Sequence, residues 1–370
     1  MDLDELRDDI PALSGSIYLN YGAHGPSPQT VVEACDQAVA DHEFSAGTVN
    51  PYDRASATFS AARTAIARLI NARADEIALT QSTGDSINRI ADGFEWDADD
   101  VVVITDLEHP AGILPWQQLR TRGVTIRTVP SEDGHVDRDA FASAVEGATL
   151  VCFSALTWTH GTMLPVRELV SIARDAETFS LVDAVQVPGH RQMDVRRWGA
   201  DAVAAAGHKW LLGPWGAGFL YVRDDILERL SPRAIGYRSV QSPDTGDFRL
   251  LPTATRFEVG SMSVGPYAGV VKAIEQLEAI GLDRIESRIE RLTDRLKRQL
   301  PRAHCISPRQ FESGLVSVSV SDPAAVQAQL ASRDIVIRTL PRDAGVRISV
   351  HAVTTAAEID AVADAVSEFT

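Results

Sequence analysis

Two patterns of apolar positions alternate along the chain from about residue 60 onward. Helical segments, with apolar residues every three or four positions, alternate with short runs that are apolar at nearly every position. Such runs are typical of strands covered by helices on both faces, and their alternation with helices predicts a mostly parallel sheet of the α/β class. We therefore predict helices at 56–71 and 86–94, and strands at 76–80, 101–105, 124–130, 148–156, 179–185 and 201–207.

The pattern changes after about residue 256. A long amphipathic segment predicts one helix from Pro266 to Gln299, and short strands and helices follow, ending in a helix from Thr355. This order indicates a small α+β domain. We expect a large domain at 15–255 and a small C-terminal domain at 256–370, with residues 1–14 packing on the small domain.

Composition limits the classes of protein that the chain can represent. No segment approaches the roughly 18 consecutive apolar residues of a membrane-spanning helix, and the acidic start MDLDELRDDI lacks the basic residues of a secretory signal. Cys35, Cys152 and Cys305 are odd in number and far apart, which favours neither a disulfide framework nor a paired-thiol metal site. We expect a cytoplasmic protein without a membrane segment.

Charge disfavours polyanionic partners, because the formal net charge is -16 and the average surface repels phosphate backbones. We expect no nucleic-acid partner. The nine histidines include no HExxH or comparable ligand spacing, so no metal site is expected either. Lysines are rare: only Lys209, Lys272 and Lys297 occur among 35 basic residues.

Lys209 has an unusual setting in AAAGHKWLLGPWGAGFLYV, at 204–222. It follows a predicted strand and precedes a glycine-rich turn, whereas Lys272 and Lys297 lie on the amphipathic helical segment. A lysine that reacts with a carbonyl group must lose its proton, which burial and nearby cations such as a charged His208 favour. The segment alone also fits an ordinary solvated loop lysine.

Asp183 lies where the predicted strand FSLVDAV ends, at the edge where ligands of parallel sheets bind. A carboxylate there could hold the pyridine nitrogen of a cofactor in its protonated form, and Gln186 could reach a ring hydroxyl. An aspartate at this position also fits a helix cap.

Two further segments follow predicted strands. In TQSTGDSINRI, Ser82, Thr83 and Gly84 lie at the start of a helix, where free backbone N–H groups favour a phosphate. An ordinary helix cap explains these residues equally well. In DLEHPAGILPW, His109 could stack on a planar ring, or it could be structural.

These segments, in this order, resemble the class V aminotransferase family of fold type I pyridoxal 5'-phosphate (PLP) enzymes, which includes cysteine desulfurases, C–S lyases and isopenicillin N epimerase. The resemblance begins near Ile17 and extends to the C-terminus. Its strongest segments are YLNYGAHGPSP, LTQSTGDSINRIADGF, LEHPAGILPW, HGTMLPV, LVDAVQVPGH, GHKWLLGPWGAGFLYV, RFEVGSMSVGPYAG and VRISVHAVTTAAEID.

The resemblance implies a role for each candidate residue. Lys209 would be the catalytic residue and would bind PLP covalently. The other implied cofactor contacts are Asp183 at the pyridine nitrogen, His109 on the ring face, Gln186 near the ring oxygen, and Ser82, Thr83, Gly84 and His208 at the phosphate.

The resemblance also implies a homodimer and a small amino-acid substrate. Ser261 stands where the family contacts the phosphate of the neighbouring subunit. Arg347 would bind the substrate carboxylate through its planar two-donor fork, and Asn20 would assist it. Trp158 occupies the place of an asparagine that desulfurases use near the cofactor, which is more like the lyase and epimerase relatives.

The segment before Arg347, IRTLPRDAGVRISVH, is short and has no cysteine, although desulfurases carry their persulfide-forming cysteine on a longer loop in this region. We therefore expect a C–S lyase that eliminates the β substituent of cysteine, cystine or a sulfur conjugate, with Lys209 as the base. The alternatives are a class V aminotransferase, a cysteine desulfurase or an amino-acid epimerase. A non-catalytic PLP-binding relative is the alternative from another class.

Overall fold

The computed structural model describes residues 1–370, apart from the side chains of residues 247 and 343. Its helices are α1 Leu3–Asp8, α2 Gln29–Phe44, α3 Pro51–Leu69, α4 Thr83–Ala91, α5 Leu114–Leu119, α6 Arg138–Val145, α7 Val166–Asp175, α8 Val195–Trp198, α9 Val264–Ile280, α10 Leu282–Gln299, α11 Pro323–Ala331 and α12 Ala356–Ser367. Its strands are β1 Ile17–Tyr18, β2 Ile77–Thr80, β3 Val101–Thr105, β4 Thr125–Val129, β5 Ser131–Glu132, β6 His135–Val136, β7 Leu150–Ser154, β8 Phe179–Asp183, β9 Ala202–Ala206, β10 Gly218–Val222, β11 Val240–Ser242, β12 Asp247–Leu250, β13 Leu315–Val318, β14 Ile335–Val336, β15 Arg338–Thr339 and β16 Val346–Ser349.

A seven-stranded sheet forms the centre of the molecule, in the order β2, β10, β9, β8, β7, β3, β4. Neighbouring strands are parallel except at β10, which is antiparallel to both β2 and β9. The predicted α/β class with a mostly parallel sheet is confirmed. The strand β10, which follows the glycine-rich turn after Lys209, was not among the predicted strands.

The central sheet separates two apolar clusters, which explains why its strands other than the edge strand β4 are buried at every position. Along β3, Val101 and Val103 pack into one cluster, whereas Val102 and Ile104 pack into the other. Successive side chains of a strand point to opposite faces, so a strand covered on both faces needs apolar residues at odd and even positions alike.

The single helix predicted from Pro266 to Gln299 is wrong, because two helices occupy this segment. Gly281 separates α9 from α10 and has a φ of 96°, a conformation that residues with a Cβ rarely adopt. Its N–H donates to the carbonyl of Leu277 and closes the last turn of α9.

A second, antiparallel sheet near the C-terminus has the order β13, β16, β15 and packs on a third apolar cluster. Buried residues of α9 belong instead to the cluster that contains Val103. Near the N-terminus, Leu6 packs in that same cluster, while Arg7 forms an ion pair of 2.6 Å with Glu358 at the start of α12. The division at residue 255 and the packing of residues 1–14 on a small domain stay predictions.

The short strand β1 pairs in parallel with β14. Just after β1, an isolated parallel bridge joins Asn20 to Ser349, the last residue of β16. This pairing brings the segment after β1 beside β16. Among the described residues, none of the helices combines the length and the apolar character needed to cross a bilayer.

Candidate active site

The carboxyl ends of β2, β3, β7, β8 and β9 meet at one edge of the central sheet, where ligands of such sheets bind. A cavity of about 320 Å³ lies there. All the predicted site residues except Asn20 and Ser261 line it, namely Ser82, Thr83, Gly84, His109, Trp158, Asp183, Gln186, His208, Lys209 and Arg347.

Lys209 is partly buried in the wall of this cavity. Withdrawal from water lowers the pKa of its amine to about 7, with Asp183 opposing the shift and Arg347 adding to it. The amine therefore loses its proton near neutral pH, as a nucleophile or base must. The structure does not support the alternative of a solvated loop lysine.

Asp183 is the last residue of β8 and lies opposite Ser154 of β7. Its side chain is buried, and burial raises the pKa of the carboxyl group. The N–H of Val185 donates to Oδ1 over 3.0 Å and, together with Lys209, opposes this shift. The contact resembles a cap, but the carboxylate also faces the cavity.

Gln186 has a fixed orientation at the cavity wall. Its Nε2 donates to the carbonyl of Gly22 over 2.8 Å, and its Oε1 accepts from the indole N–H of Trp210 over 2.8 Å. One hydrogen of Nε2 remains for another acceptor.

The start of α4 combines a helix cap with a free hydroxyl. Ser82 is the N-cap, and its Oγ accepts from the N–H of Asp85 over 3.1 Å. The Oγ1 of Thr83 is buried and, within the described part of the chain, has no hydrogen-bond partner. The cap and the phosphate site are therefore compatible, since different side chains serve them.

His208 and His109 are both held neutral. The suggestion that a charged His208 lowers the pKa of Lys209 is therefore wrong. Besides burial, the cations Arg347 and Arg338 lower it. The ring of His208 stacks on Trp215 with 4.5 Å between centroids, and burial, aided by Lys209, lowers its pKa to about 4. Burial, again aided by Lys209, also lowers the pKa of His109 to about 4. The Nδ1 of His109 accepts from the N–H of Ala111 over 3.2 Å, so the proton of the neutral ring is on Nε2.

Arg347 is completely buried on β16, although the isolated motif would suggest a surface strand residue. Its Nη1 donates to the carbonyl of Trp158 over 2.9 Å, whereas Nε and Nη2 have no hydrogen-bond partner among the residues that the structure describes. Burial, followed by the nearby Arg338, lowers its pKa to about 9. On the neighbouring segment, Oδ1 of Asn20 is buried without a partner.

Ser261 lies outside the cavity. It is exposed, and its Oγ is 3.2 Å from the hydroxyl of Tyr237. Its predicted contact with a second subunit stays a prediction.

Arg338, which was not among the predicted site residues, also lines the cavity. Arg338 of β15 lies directly opposite Arg347 of β16, and its guanidinium stands 5.5 Å from the ring of Trp158. Its position one strand before Arg347 was the available signal, but only the strand pairing shows that the two guanidiniums share a site.

Glu108 was also missed, although it directly precedes His109. Its carboxylate is buried and accepts from Oγ1 of Thr105 over 2.6 Å and from N and Oγ of Ser154 over 3.1 and 2.6 Å. Burial raises its pKa to about 7, against these hydrogen bonds. Glu108 joins the ends of β3 and β7 below His109.

The unpaired polar atoms indicate which chemical groups the cavity can bind. A buried polar group without a partner costs roughly 1–3 kcal/mol, and more when it is charged. Thr83 and Arg347 both leave such atoms at the cavity, one at a helix start and the other on a guanidinium. A PLP phosphate at Thr83 and a substrate carboxylate at Arg347 would pair them, so the residues present fit the cofactor.

Comparisons with known proteins agree with this arrangement. The profile of the family "Aminotransferase class-V" matches residues 17–362. A relative named probable cysteine desulfurase, from Methanothermobacter thermautotrophicus, is 33% identical over 87% of this chain and 82% of its own length.

Solved structures share the fold as well as the sequence pattern. The cysteine desulfurase of Thermococcus onnurineus NA1 superposes with a TM-score of 0.90 at 28% identity, covering 98% of this chain and 97% of its own. A mutant of C-DES with glycine covalently linked to its PLP cofactor has a TM-score of 0.92 at 26% identity, covering 98% of this chain and 99% of its own.

C-DES is also known in complex with cysteine persulfide, where it is described as a cystine C–S lyase and the persulfide as its reaction product. That structure has a TM-score of 0.91 at 26% identity, covering 97% of this chain and 99% of its own. The match of the family profile over most of the chain, together with these structures, leads to one conclusion: the chain belongs to the class V aminotransferase family of PLP-dependent enzymes.

Proposed function

We propose that this protein is a C–S lyase that eliminates the sulfur substituent of an amino acid, with cystine as the preferred type of substrate. The observation that carries the proposal is that Arg338 and Arg347 face one cavity with Lys209. Two guanidiniums can bind the two carboxylates of a disulfide-linked amino acid, whereas one would suffice for cysteine.

The pairing of the two arginines supports a role in binding rather than in folding. Arg338 and Arg347 are cross-strand partners in an antiparallel pair, and like charges in this relationship destabilise a sheet. The charge of Arg338 also contributes to the lowered pKa of Arg347. A second carboxylate in the cavity would relieve this repulsion.

The positions of the sulfhydryl groups argue against the desulfurase alternative, in which an enzyme cysteine takes up the sulfur. Cys152 lies within β7 and is completely buried, which raises the pKa of its thiol. Cys35 is on α2, and Cys305 borders a different cavity together with Lys297. In the part of the chain that the structure describes, none of the three lines the cavity of Lys209.

Bound PLP would supply an electron sink that makes the Cα proton of the substrate removable. Lys209 would hold the cofactor and then accept that proton, as its pKa of about 7 allows. Asp183 would keep the pyridine nitrogen protonated. His109 would lie against the ring, Gln186 would approach the ring oxygen, and the phosphate would bind at Ser82, Thr83, Gly84 and His208.

The reaction balances for cystine and water. The Cα proton passes to Lys209, and the Cβ–S bond breaks with its electron pair leaving on sulfur. Water then hydrolyses the remaining three-carbon fragment. The products are cysteine persulfide, pyruvate and ammonia.

The experiment is to incubate the PLP-loaded protein with cystine, cysteine and a thioether amino acid in separate reactions. Persulfide, pyruvate and ammonia should form from cystine in equal amounts, and Lys209→Ala should form none. Sulfur release with alanine instead of pyruvate would establish a desulfurase. Transfer of the amino group to a keto acid would establish an aminotransferase, and loss of optical purity an epimerase.

We also propose a homodimer of cytoplasmic location, as the family resemblance implies. Ser261 is exposed, and so is Trp215, which lies beside the cavity. Their exposure supports a second subunit that covers them. Sedimentation equilibrium tests the assembly. A chain that stays monomeric with PLP bound would contradict it.

A further inference from the structure

A buried stack of rings lies next to the cavity. The ring of Tyr21 belongs to it, with 4.7 Å between its centroid and that of His351. We call the other three residues, His190, Trp210 and His351, the imidazole–indole stack. The rings of His190 and Trp210 are 3.8 Å apart between centroids at an angle of 18°, and those of Trp210 and His351 are 6.0 Å apart at 22°. All three side chains are essentially inaccessible to solvent.

His190 joins the wall of the cavity to the sheet that carries Arg347. The N–H of Gly314 donates to its Nε2 over 2.7 Å, so Nδ1 carries the proton and donates to the carbonyl of Gln186 over 3.0 Å. Gly314 directly precedes β13, and its carbonyl accepts from the N–H of Val350, which directly follows β16.

His351 makes the reciprocal connection from that sheet to the segment of Lys209. The N–H of Val353 donates to its Nδ1 over 3.3 Å, so Nε2 carries the proton and donates to the carbonyl of Trp210 over 3.2 Å. Trp210 directly follows Lys209, and its indole N–H donates to Oε1 of Gln186.

Both imidazoles use one nitrogen as a donor and the other as an acceptor, which requires the neutral form. Burial lowers the pKa of His190 to about 3 and that of His351 to about 4, so both rings are neutral over the working range of an enzyme. Apolar residues could fill the same space, but they would leave the N–H of Gly314 and the carbonyl of Trp210 unpaired.

We propose that His190 and His351 are positioning residues that hold the Arg347 strand in register with the Lys209 segment. They would set the distance between the guanidinium of Arg347, which would bind the substrate carboxylate, and the amine of Lys209, which would accept the Cα proton. Ser317 of β13 lies opposite Arg347, so a displacement that begins at Gly314 would reach the guanidinium within one strand. The inference rests on the proposed role of Arg347.

The test compares His190→Leu with His190→Gln in the PLP-loaded protein. Leucine removes the acceptor for Gly314, whereas Oε1 of glutamine restores it. L-alanine, which has no β sulfur to lose, is titrated in while the cofactor absorbance is followed. We expect binding to be about tenfold weaker in His190→Leu and within about threefold of wild type in His190→Gln.

Leu330→Ala is the matched control, because Leu330 is completely buried beneath the same sheet and does not belong to the stack. It should lower the stability of the protein and leave L-alanine binding unchanged. Equal weakening in Leu330→Ala and His190→Leu would overturn the inference, as would normal binding in His190→Leu. His351→Phe keeps a ring in the stack without its hydrogen bonds, and we expect it to behave like His190→Leu.

Hydrogen exchange separates a failure of the inference from a failure of the proposed function. In His190→Leu, the amides of Gly314 and β16 should exchange at least tenfold faster, and unchanged exchange would overturn the positioning role. Arg347→Leu tests the carboxylate assignment separately. Normal binding of L-alanine by Arg347→Leu would contradict the carboxylate assignment. The hydrogen-exchange result for His190→Leu would still test the positioning role separately.

Discussion

Arg338 and Arg347 lie directly opposite each other on β15 and β16, and both guanidiniums face the cavity that contains Lys209. Two like charges at cross-strand positions weaken a sheet unless an anion separates them. The pair therefore indicates that the cavity binds anionic groups. It also leads us to expect that removing the charge of Arg338 weakens substrate binding without lowering the stability of the unliganded protein.

Arg338→Gln should weaken the binding of cystine by roughly 10- to 100-fold, because one charge-assisted contact to a carboxylate is lost. The binding of cysteine should change little. The free energy of unfolding of the unliganded protein should stay constant or rise, because the repulsion on Arg347 is removed. Kinetics with both substrates and urea unfolding measure the two effects. Arg333→Gln, which removes a distant surface pair with Glu368, is the control. Equal loss for both substrates would contradict the assignment.

Gly22→Ala should disturb the carboxylate site. A Cβ at residue 22 would stand 2.8 Å from Nη2 of Arg347 and 2.8 Å from Cδ2 of Leu315. Both neighbours are completely buried and have little room to move. We expect KM to rise by about tenfold or more, with a smaller effect on kcat. Gly15→Ala, where a Cβ would meet nothing within 4 Å, should leave both constants unchanged.

Asp183→Asn should change the proton affinity of Lys209. The carboxylate of Asp183 raises the pKa of Lys209, so its removal should move that pKa downward from about 7. The pH midpoint for covalent capture of PLP by the cofactor-free protein should shift in the same direction. We expect turnover to fall by roughly 10²-fold or more, as when a charged group is removed from a reacting centre.

Asp201→Asn is the control for this variant. Asp201 directly precedes β9, at the opposite end of the sheet, and its carboxylate is bound by the N–H and Oγ of Ser180. It should lower stability without moving the midpoint for PLP capture. A midpoint in Asp183→Asn that stays at the wild-type pH would contradict the coupling between Asp183 and Lys209.

The buried His190 should make the protein sensitive to acid. Its pKa is lowered from 6.5 to about 3 by burial, with Arg191 and His351 adding to the shift and the carbonyl of Gln186 opposing it. Between these values the unfolded chain binds the proton more strongly than the folded protein does. Stability should therefore fall as the pH decreases from about 6.5 towards 3.

His190→Gln should flatten this part of the stability curve, because glutamine does not titrate. Urea unfolding at pH 7 and pH 5 measures the difference. The loss between the two pH values should be smaller in the variant than in the wild-type protein. An identical loss in both proteins would show that other groups cause the acid sensitivity.

Local sequence patterns predicted the strands of the central sheet other than β10, mainly because these strands, apart from the edge strand β4, are covered on both faces. The runs VVVIT and FSLVD are dominated by apolar residues, and their few polar residues, Thr105, Ser180 and Asp183, are buried as well, which leaves few alternatives to a covered strand. The pattern was less informative at Gly281, where apolar periodicity continues across a glycine that ends one helix and precedes the next.

The site could be predicted in part for a similar reason. Lys209 and Asp183 follow strands of one parallel sheet, and the carboxyl ends of such strands meet at one edge. Glu108 was missed because a carboxylate beside a histidine suggests a solvated residue. Only the packing shows that it is buried on Ser154 and Thr105.

The cofactor chemistry could be predicted from the sequence because the segments around Lys209, Asp183 and the start of α4 together resemble the class V aminotransferase family, although each segment alone also fits an ordinary structural role. Only the folded protein shows that Arg338 faces the same cavity as Lys209, and how the Lys209 segment is joined to the sheet that carries Arg347. Arg338, Arg347 and His351 lie far along the sequence from Lys209 and Asp183, although their partners Trp210 and His190 lie close to those two residues. Strand pairing and burial bring them together, and neither is encoded in the spacing of any one motif.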